Sequence, residues 1–182
     1  MSRRPRQGAL FSPRRYSAAD LLLAVSLLAA CAAVVTMLPE KEKGELLQGR
    51  ARAVDGDSVR LNGVEIRLAG LDAPELRQTC ERNGQSWNCG EAARSFLATR
   101  LGRADASCRS QGIDRYGRTL AVCSVAGEDI NAALVRDGMA VSYGDYGREE
   151  AEARAARRGV WAGQFMTPQE WRRLHPRRDR NP

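Results

Sequence analysis

The sequence predicts a mainly β domain with helices, α+β by content, preceded by a separate apolar segment. Short runs of alternating polarity recur between residues 51 and 125, most of them joined by turns short enough for local pairing. Three stretches with helical spacing lie among and after them, at 91–101, 129–137 and 148–158. An uncharged run at 21–38 stands apart between charged flanks. With 182 residues the chain holds one domain of ordinary size plus extensions. The divisions read as a basic segment (1–20), the apolar run (21–38), a linker (39–49), the folded domain (50–165) and a basic C-terminal tail (166–182).

Five arginines precede the apolar run L-L-L-A-V-S-L-L-A-A-C-A-A-V-V-T-M-L, and P-E-K-E-K-G-E follows it. As a helix its length is ~27 Å, close to the ~30 Å of a bilayer core. Arginines ahead of the run favour an N-terminus inside and the domain outside. Three forms fit: a retained anchor, which is the expectation, a cleaved signal peptide, or a lipoprotein signal at Leu28-Ala29-Ala30-Cys31. All three export the domain to the periplasmic or secreted side, and the first tethers it to the membrane through 21–38.

The first folded elements are strands near 51–54, 59–61 and 64–68. The last two flank Asn62-Gly63, a pair suited to the two positive-φ positions of a tight hairpin. Val64, Ile66 and Leu68 alternate with Glu65 and Arg67, so one face builds core while Arg67 points to the other. Residues 76–90 read as an irregular loop. Helix 91–101 gathers Ala92, Ala93, Phe96, Leu97 and Leu101 on one side. Strands at about 104–110 and 119–125 flank the turn D-R-Y-G-R, Asp114 to Arg118. Asp129 caps a short helix that stops at Gly138. In the last helix, early glutamates and late arginines suit the helix dipole and allow a Glu150–Arg154 pair. Trp161, Phe165 and Trp171 are expected to pack the C-terminal end onto the domain, with 172–180 as a frayed basic tail.

The formal charge is +7, yet residues 51–170 hold 16 basic against 17 acidic residues. The basicity lies in the ends, so recognition of a polyanion by the folded part must come from placed arginines. Outside the apolar run stand four cysteines: Cys80, Cys89, Cys108 and Cys123. Four cysteines allow three pairings. A hairpin turning at D-R-Y-G-R sets Cys108 opposite Cys123, which leaves Cys80 to close a loop with Cys89. Free thiols or a zinc site are the alternatives; zinc is disfavoured, since no C-x-x-C occurs and the single histidine is His175, in the tail.

The stretch Val54 to Glu75, V-D-G-D-S-V-R-L-N-G-V-E-I-R-L-A-G-L-D-A-P-E, sets Asp55, Asp57, Asp72, Glu75 and Arg67 on a short apolar framework. Paired aspartates offer hard oxygen ligands for Ca²⁺. Guanidinium forks grip phosphoryl oxygens, and a nearby carboxylate can take a proton from water. Each piece alone is a common turn or loop.

Together they carry more. D-G-D-S-V, then I-R-L-A-G-L-D-A-P-E, D-R-Y-G-R-T-L-A, I-N-A-A-L-V-R-D-G-M-A and E-A-R-A-A-R-R-G-V-W follow one another in an order that resembles the staphylococcal nuclease (thermonuclease) family over roughly residues 50–162. The resemblance implies a five-stranded OB-type barrel with three α-helices. It implies a Ca²⁺-dependent endonuclease that acts on DNA and RNA as a monomer and leaves 3′-phosphates. Asp57 and Asp72 match its metal-ligating aspartates, with the backbone carbonyl of Ala73 as a further ligand. Glu75 matches the residue that orients or deprotonates the attacking water, and Arg67 and Arg118 match the arginines on the scissile phosphate. Arg115 and Tyr116 lie where the family contacts the nucleotide's phosphate and sugar. Asp55 is a turn former. Ser58 and Ala73 stand where threonine is common in the family. Tyr143 and Tyr146 could stack a base, but their alignment is displaced and no role is carried over to them. The competing readings are a surface ion network of Arg67 and Arg118 with Asp57, Asp72 and Glu75, or a non-catalytic OB-fold nucleic-acid-binding or envelope interaction module.

Overall fold

A computed structural model describes residues 17–37 and 44–176, with side chains in the first stretch described as far as Ala30. The readings for residues 1–16, 38–43 and 177–182, and for the side chain of Cys31, lie outside the described residues. The chain divides into two units, 1–42 and 43–182.

The first unit contains helix α1 (Ala18–Met37), and its leucines at 21, 22, 23, 27 and 28 are all exposed. Among the described residues no helix is long and apolar enough to cross a membrane. The anchor expected at 21–38 is therefore not shown as a span, although residues 21–37 are helical.

The second unit runs β1 (Leu46–Gly49), β2 (Ala51–Ala53), β3 (Ser58–Leu61), β4 (Val64–Leu68), β5 (Leu71–Asp72), β6 (Cys80–Arg82), β7 (Gln85–Trp87) and α2 (Cys89–Leu101). It continues with β8 (Ala106–Ile113), β9 (Thr119–Val125), β10 (Glu128–Asp129), α3 (Ile130–Arg136), β11 (Val141–Ser142), α4 (Gly147–Ala155), a 3₁₀ turn (Gly159–Ala162) and α5 (Pro168–Leu174). The main sheet follows the order β1-β8-β9-β4-β3-β2, with β10 on β9. Its two ends, β1 and β2, are halves of one stretch interrupted at Arg50. Five stretches of chain thus form the ring of an OB-type barrel, in keeping with the predicted fold class.

The hydrophobic pattern selects the register. Val59 lies opposite Ile66 and Leu61 opposite Val64, so that Val59, Leu61, Ile66 and Leu68 are all buried. Asn62 and Gly63 take φ values of 50° and 85°, the left-handed pair this hairpin requires. β4 then pairs with β9 in parallel, Arg67 opposite Leu120. Beside this junction, buried Asn131 donates to the carbonyls of Ala69 and Ala121 and accepts from the Cys123 N–H. Helices α2 and α3 close the core with Ala93, Leu97, Ile130, Leu134 and Val135. Burying a side chain such as Leu97 contributes about 1.5–3 kcal/mol. The Asp129 carboxylate caps α3 by accepting the Ala132 N–H, and Glu150 pairs with Arg154 on α4, both as expected.

Three stretches differ from the expectation. Part of the linker is strand β1, whose Leu47 packs on the core and lies opposite Cys108. The irregular loop contains the hairpin β6–β7, turned at Asn83-Gly84 with φ of 54° and 73°, the same chemistry as Asn62-Gly63. The start of the basic tail is helix α5, with Pro168 in its first turn and a reciprocal capping box between Thr167 and Glu170.

Both disulfides join the cysteines as geometry favoured. Cys108 and Cys123 face each other across β8 and β9, and Cys80 joins Cys89. Around the second pair a satellite cluster forms from Val160, Trp87, Trp161 and Phe165. Its hairpin pairs Glu81 with Gln164, which leads the chain towards α5. Trp161 meets Phe165 edge to face, while Trp171 stacks on His175.

Candidate active site

The D-G-D turn begins the site. The Asp55 carboxylate accepts the Asp57 N–H at 3.1 Å, a local bond that aspartate in a turn makes readily. This closes the turn and sends the Asp57 side chain inward. The Asp57 carbonyl accepts the Leu68 N–H at 2.8 Å, which ties the turn to the end of β4. Asp72 arrives from the other side on β5, held opposite Val141 of β11. Both aspartates are 5 % exposed.

Buried carboxylates need partners. Asp57 Oδ2 accepts the Ala73 N–H at 3.0 Å, and its Oδ1 accepts the Ser58 hydroxyl and Arg67 Nη1, at 3.2 and 2.6 Å. Arg67 reaches across from β4 and donates its Nη2 to Asp72 Oδ1 at 2.8 Å. One guanidinium thus bridges the two aspartates. Burial pushes the Asp57 carboxyl upward, opposed by Arg67 and the Ala73 N–H and reinforced by the charges of Asp55 and Asp72. For Arg67, burial works against the charge, but Asp57 and Asp72 outweigh it and its pKa rises.

Glu75 sits in a loop fixed by backbone. Its N–H donates to the Gln78 side-chain oxygen at 3.1 Å, and its carbonyl accepts the Gln78 N–H at 2.7 Å. The start of α2 packs so closely here that a Cβ on Gly90 would lie 1.8 Å from the Glu75 carbonyl oxygen. The Glu75 side chain is 27 % exposed, and its carboxylate accepts Arg172 Nη1 at 2.9 Å.

Arg172, on α5, also donates to both oxygens of Asp72, at 2.8 and 3.0 Å. Hydrogen bonds to Asp72, then to Glu75, raise its pKa against the opposing effect of burial. The sequence reading missed this residue, although the T-P-Q-E capping box announces the helix that carries it. It also missed Gln78, which is fully buried and donates to the Met166 carbonyl at 2.7 Å. A buried glutamine in a loop has no local signature.

Asp57, Arg67, Asp72 and Glu75 are therefore brought together, with Ala73 between them. Arg118, Arg115 and Tyr116 remain at the β8–β9 turn. The Arg118 guanidinium binds Asp114, with Nε and Nη2 at 2.9 and 2.8 Å from Oδ2. In the parallel ladder Arg67 lies opposite Leu120, and alternation puts Arg118, two residues earlier, on the Arg67 side of the sheet. Tyr116 is 69 % exposed, with the Arg115 guanidinium 4.9 Å from its ring centre. The competing reading, a surface network of both arginines with the three carboxylates, is thus split: Arg67 bonds Asp57 and Asp72, Arg118 does not, and the aspartates are buried rather than superficial. Among the described residues no group of three or more His, Cys, Asp or Glu is arranged to hold a metal ion.

Residues 65–163 match the family model described as Staphylococcal nuclease homologue. The succinoglycan biosynthesis protein ExoI of Rhizobium meliloti is 31% identical, over 72% of this chain and 73% of its own length. Protein ParB of Escherichia coli is 34% identical, over 80% and 89%. The micrococcal nuclease of Shigella flexneri is 32% identical, over 81% and 92%. With a family model covering more than half of its length and relatives aligned over most of theirs, the chain belongs to the staphylococcal nuclease family and is a nuclease hydrolase.

Proposed function

We propose that the protein is an exported, Ca²⁺-dependent endonuclease that hydrolyses DNA and RNA at the cluster of Asp57, Arg67, Asp72 and Glu75. The observation that carries this reading is the pair of buried carboxylates, Asp57 and Asp72, bridged by one guanidinium at 2.6 and 2.8 Å. The donor set suits a hard divalent cation: two carboxylates, with the Ala73 carbonyl as a third oxygen. Burial, helped by the neighbouring charges of Asp55 and Asp72, raises the Asp57 pKa. Calcium, when bound, supplies Lewis-acid polarisation of a phosphoryl oxygen.

The chain's own residues do the rest. Arg67 turns N–H donors towards the phosphate, and its grip strengthens as charge develops in the transition state. Glu75, partly exposed beside Asp72, orients the attacking water and takes its proton. Arg118, on the same side of the sheet, exchanges Asp114 for the phosphate and completes the clamp. Arg115 and Tyr116, at the exposed turn, hold the neighbouring phosphate and sugar. The 5′ P–O bond breaks and a 3′-phosphate remains. The two disulfides support an oxidising compartment outside the cytoplasm, with residues 21–38 as the targeting segment.

The test is cleavage of DNA and of RNA by the purified full-length chain in Ca²⁺, in Mg²⁺ and in chelator. Cleavage in Ca²⁺ that chelator abolishes, with Arg67→Ala and Glu75→Gln each slower by at least ~10²-fold, is the expected result. Cleavage that survives chelation, or that is unaltered in either variant, overturns the mechanism.

A further inference from the structure

We propose that Arg172 is a further functional residue of this site, a built-in cation that occupies Asp72 and Glu75 and sets the affinity for the divalent ion by competing with it. The inference rests on the cation-dependent reading above. Its ground is the geometry of one side chain. Arg172 places Nη2 2.8 Å from Asp72 Oδ2, and Nη1 3.0 Å from Asp72 Oδ1 and 2.9 Å from Glu75 Oε1. Asp72 Oδ1 also accepts from Arg67 at 2.8 Å. Both lone pairs of that oxygen are then directed at N–H donors, and a cation bound there must displace one of them. A guanidinium and a divalent ion on the same carboxylate are like charges within about 4 Å and weaken each other's binding. Arg172, with a side chain 43 % exposed against 21 % for Arg67, is the one that yields.

The placement of Arg172 is built rather than incidental. Its two carboxylate partners lie 100 and 97 residues away in sequence. Gln78, from the loop that carries Glu75, holds the Met166 carbonyl, and the Thr167–Glu170 box then starts α5 in a fixed direction. These ties lie at the N-terminal end of the helix. Arg172 lies one turn further on, and its side chain is 43 % exposed, so it can leave the carboxylates while Met166 stays in place. A binding-competent state populated in only a fraction of molecules lowers apparent affinity by that fraction. Removing the guanidinium removes that cost.

Calorimetric titration of the full-length chain with Ca²⁺, without nucleic acid, tests this directly. Arg172→Gln should bind Ca²⁺ ~10-fold or more tightly than wild type. Arg172→Lys, which keeps the charge without the fork, should fall between them. Equal or weaker binding by a folded Arg172→Gln chain overturns the proposal while leaving the cation-dependent reading intact. If neither chain binds Ca²⁺, both fail. A second measurement needs no variant. Amide exchange over residues 168–175 of the wild-type chain should speed up in Ca²⁺ relative to chelator, and unchanged protection in a Ca²⁺-bound chain overturns the proposal even if Arg172→Gln does not fold.

Discussion

The fully buried side chain of Gln78 donates to the backbone carbonyl of Met166 at 2.7 Å, while its own oxygen accepts the Glu75 N–H at 3.1 Å. One amide therefore fixes both the loop of the expected base and the entry to α5. A glutamine here satisfies a donor and an acceptor at once. Gln78→Ala should cost about 1–3 kcal/mol in urea unfolding, since it removes both bonds. It should also speed tryptic cleavage after Arg172 and Arg173. Faster cleavage with no loss of stability would show that the bond orients α5 without supporting the fold.

Arg67 supports the fold as well as the expected chemistry. Its side chain is 21 % exposed and its guanidinium stands between two carboxylates that are almost wholly buried. Arg67→Ala leaves those charges short of a partner, which typically costs roughly 3–5 kcal/mol. Urea unfolding without divalent cations should show that loss. Adding Asp57→Asn to Arg67→Ala should recover part of it, because the substitution removes one of the stranded charges. A single variant with wild-type stability would mean that water or Arg172 already balances the pair.

Much of this arrangement was legible in the sequence, for reasons that can be named. Periodicity placed β3, β4, β8, β9 and the three helices α2 to α4, and Asn62-Gly63 fixed a register that buries Val59 and Ile66. Asp57 and Asp72 were reached through the resemblance that D-G-D-S-V and L-D-A-P-E carry in combination with the later motifs, since each alone is a common turn or loop. What stayed hidden depends on contacts distant in sequence. Leu46 to Gly49 have little pattern of their own and become strand by pairing with β8. The bonds of Arg172 to Asp72 span 100 residues. Arg118, expected at the phosphate, is paired in this structure with a local partner, Asp114, four residues away.

The two disulfides should act on different properties. Cys108 and Cys123 are 15 residues apart and join the central hairpin of the barrel. Replacing both by alanine should lower global stability by about 3 kcal/mol, mostly through the unfolded chain. Cys80 and Cys89 are 9 residues apart, close a shorter loop and support Val160, Trp161 and Phe165. Their double alanine variant should lose slightly less global stability. It should, however, become markedly more sensitive to trypsin at the C-terminal end, where the chain passes through that cluster before entering α5. Denaturant unfolding and limited proteolysis on the two variants separate these effects.

Acid should release Arg118. The Asp114 carboxylate accepts the N–H groups of Arg118 and Tyr116 at 2.9 and 2.8 Å and binds the Arg118 guanidinium. Desolvation pushes its pKa up, but these bonds outweigh it, and the pKa lies below the ordinary 3.8. A carboxylate depressed in the folded chain stabilises it fully above the unfolded value, and that contribution is lost as pH falls through the folded value. Carboxyl NMR should therefore show Asp114 titrating below the ordinary aspartate value, and the Arg118 guanidinium signals should shift with the same midpoint. Asp114→Asn should keep the turn, since its amide oxygen can accept both N–H groups, but should abolish that shared midpoint. An Arg118 that responds to pH in the Asp114→Asn chain as it does in wild type would show that another group holds it.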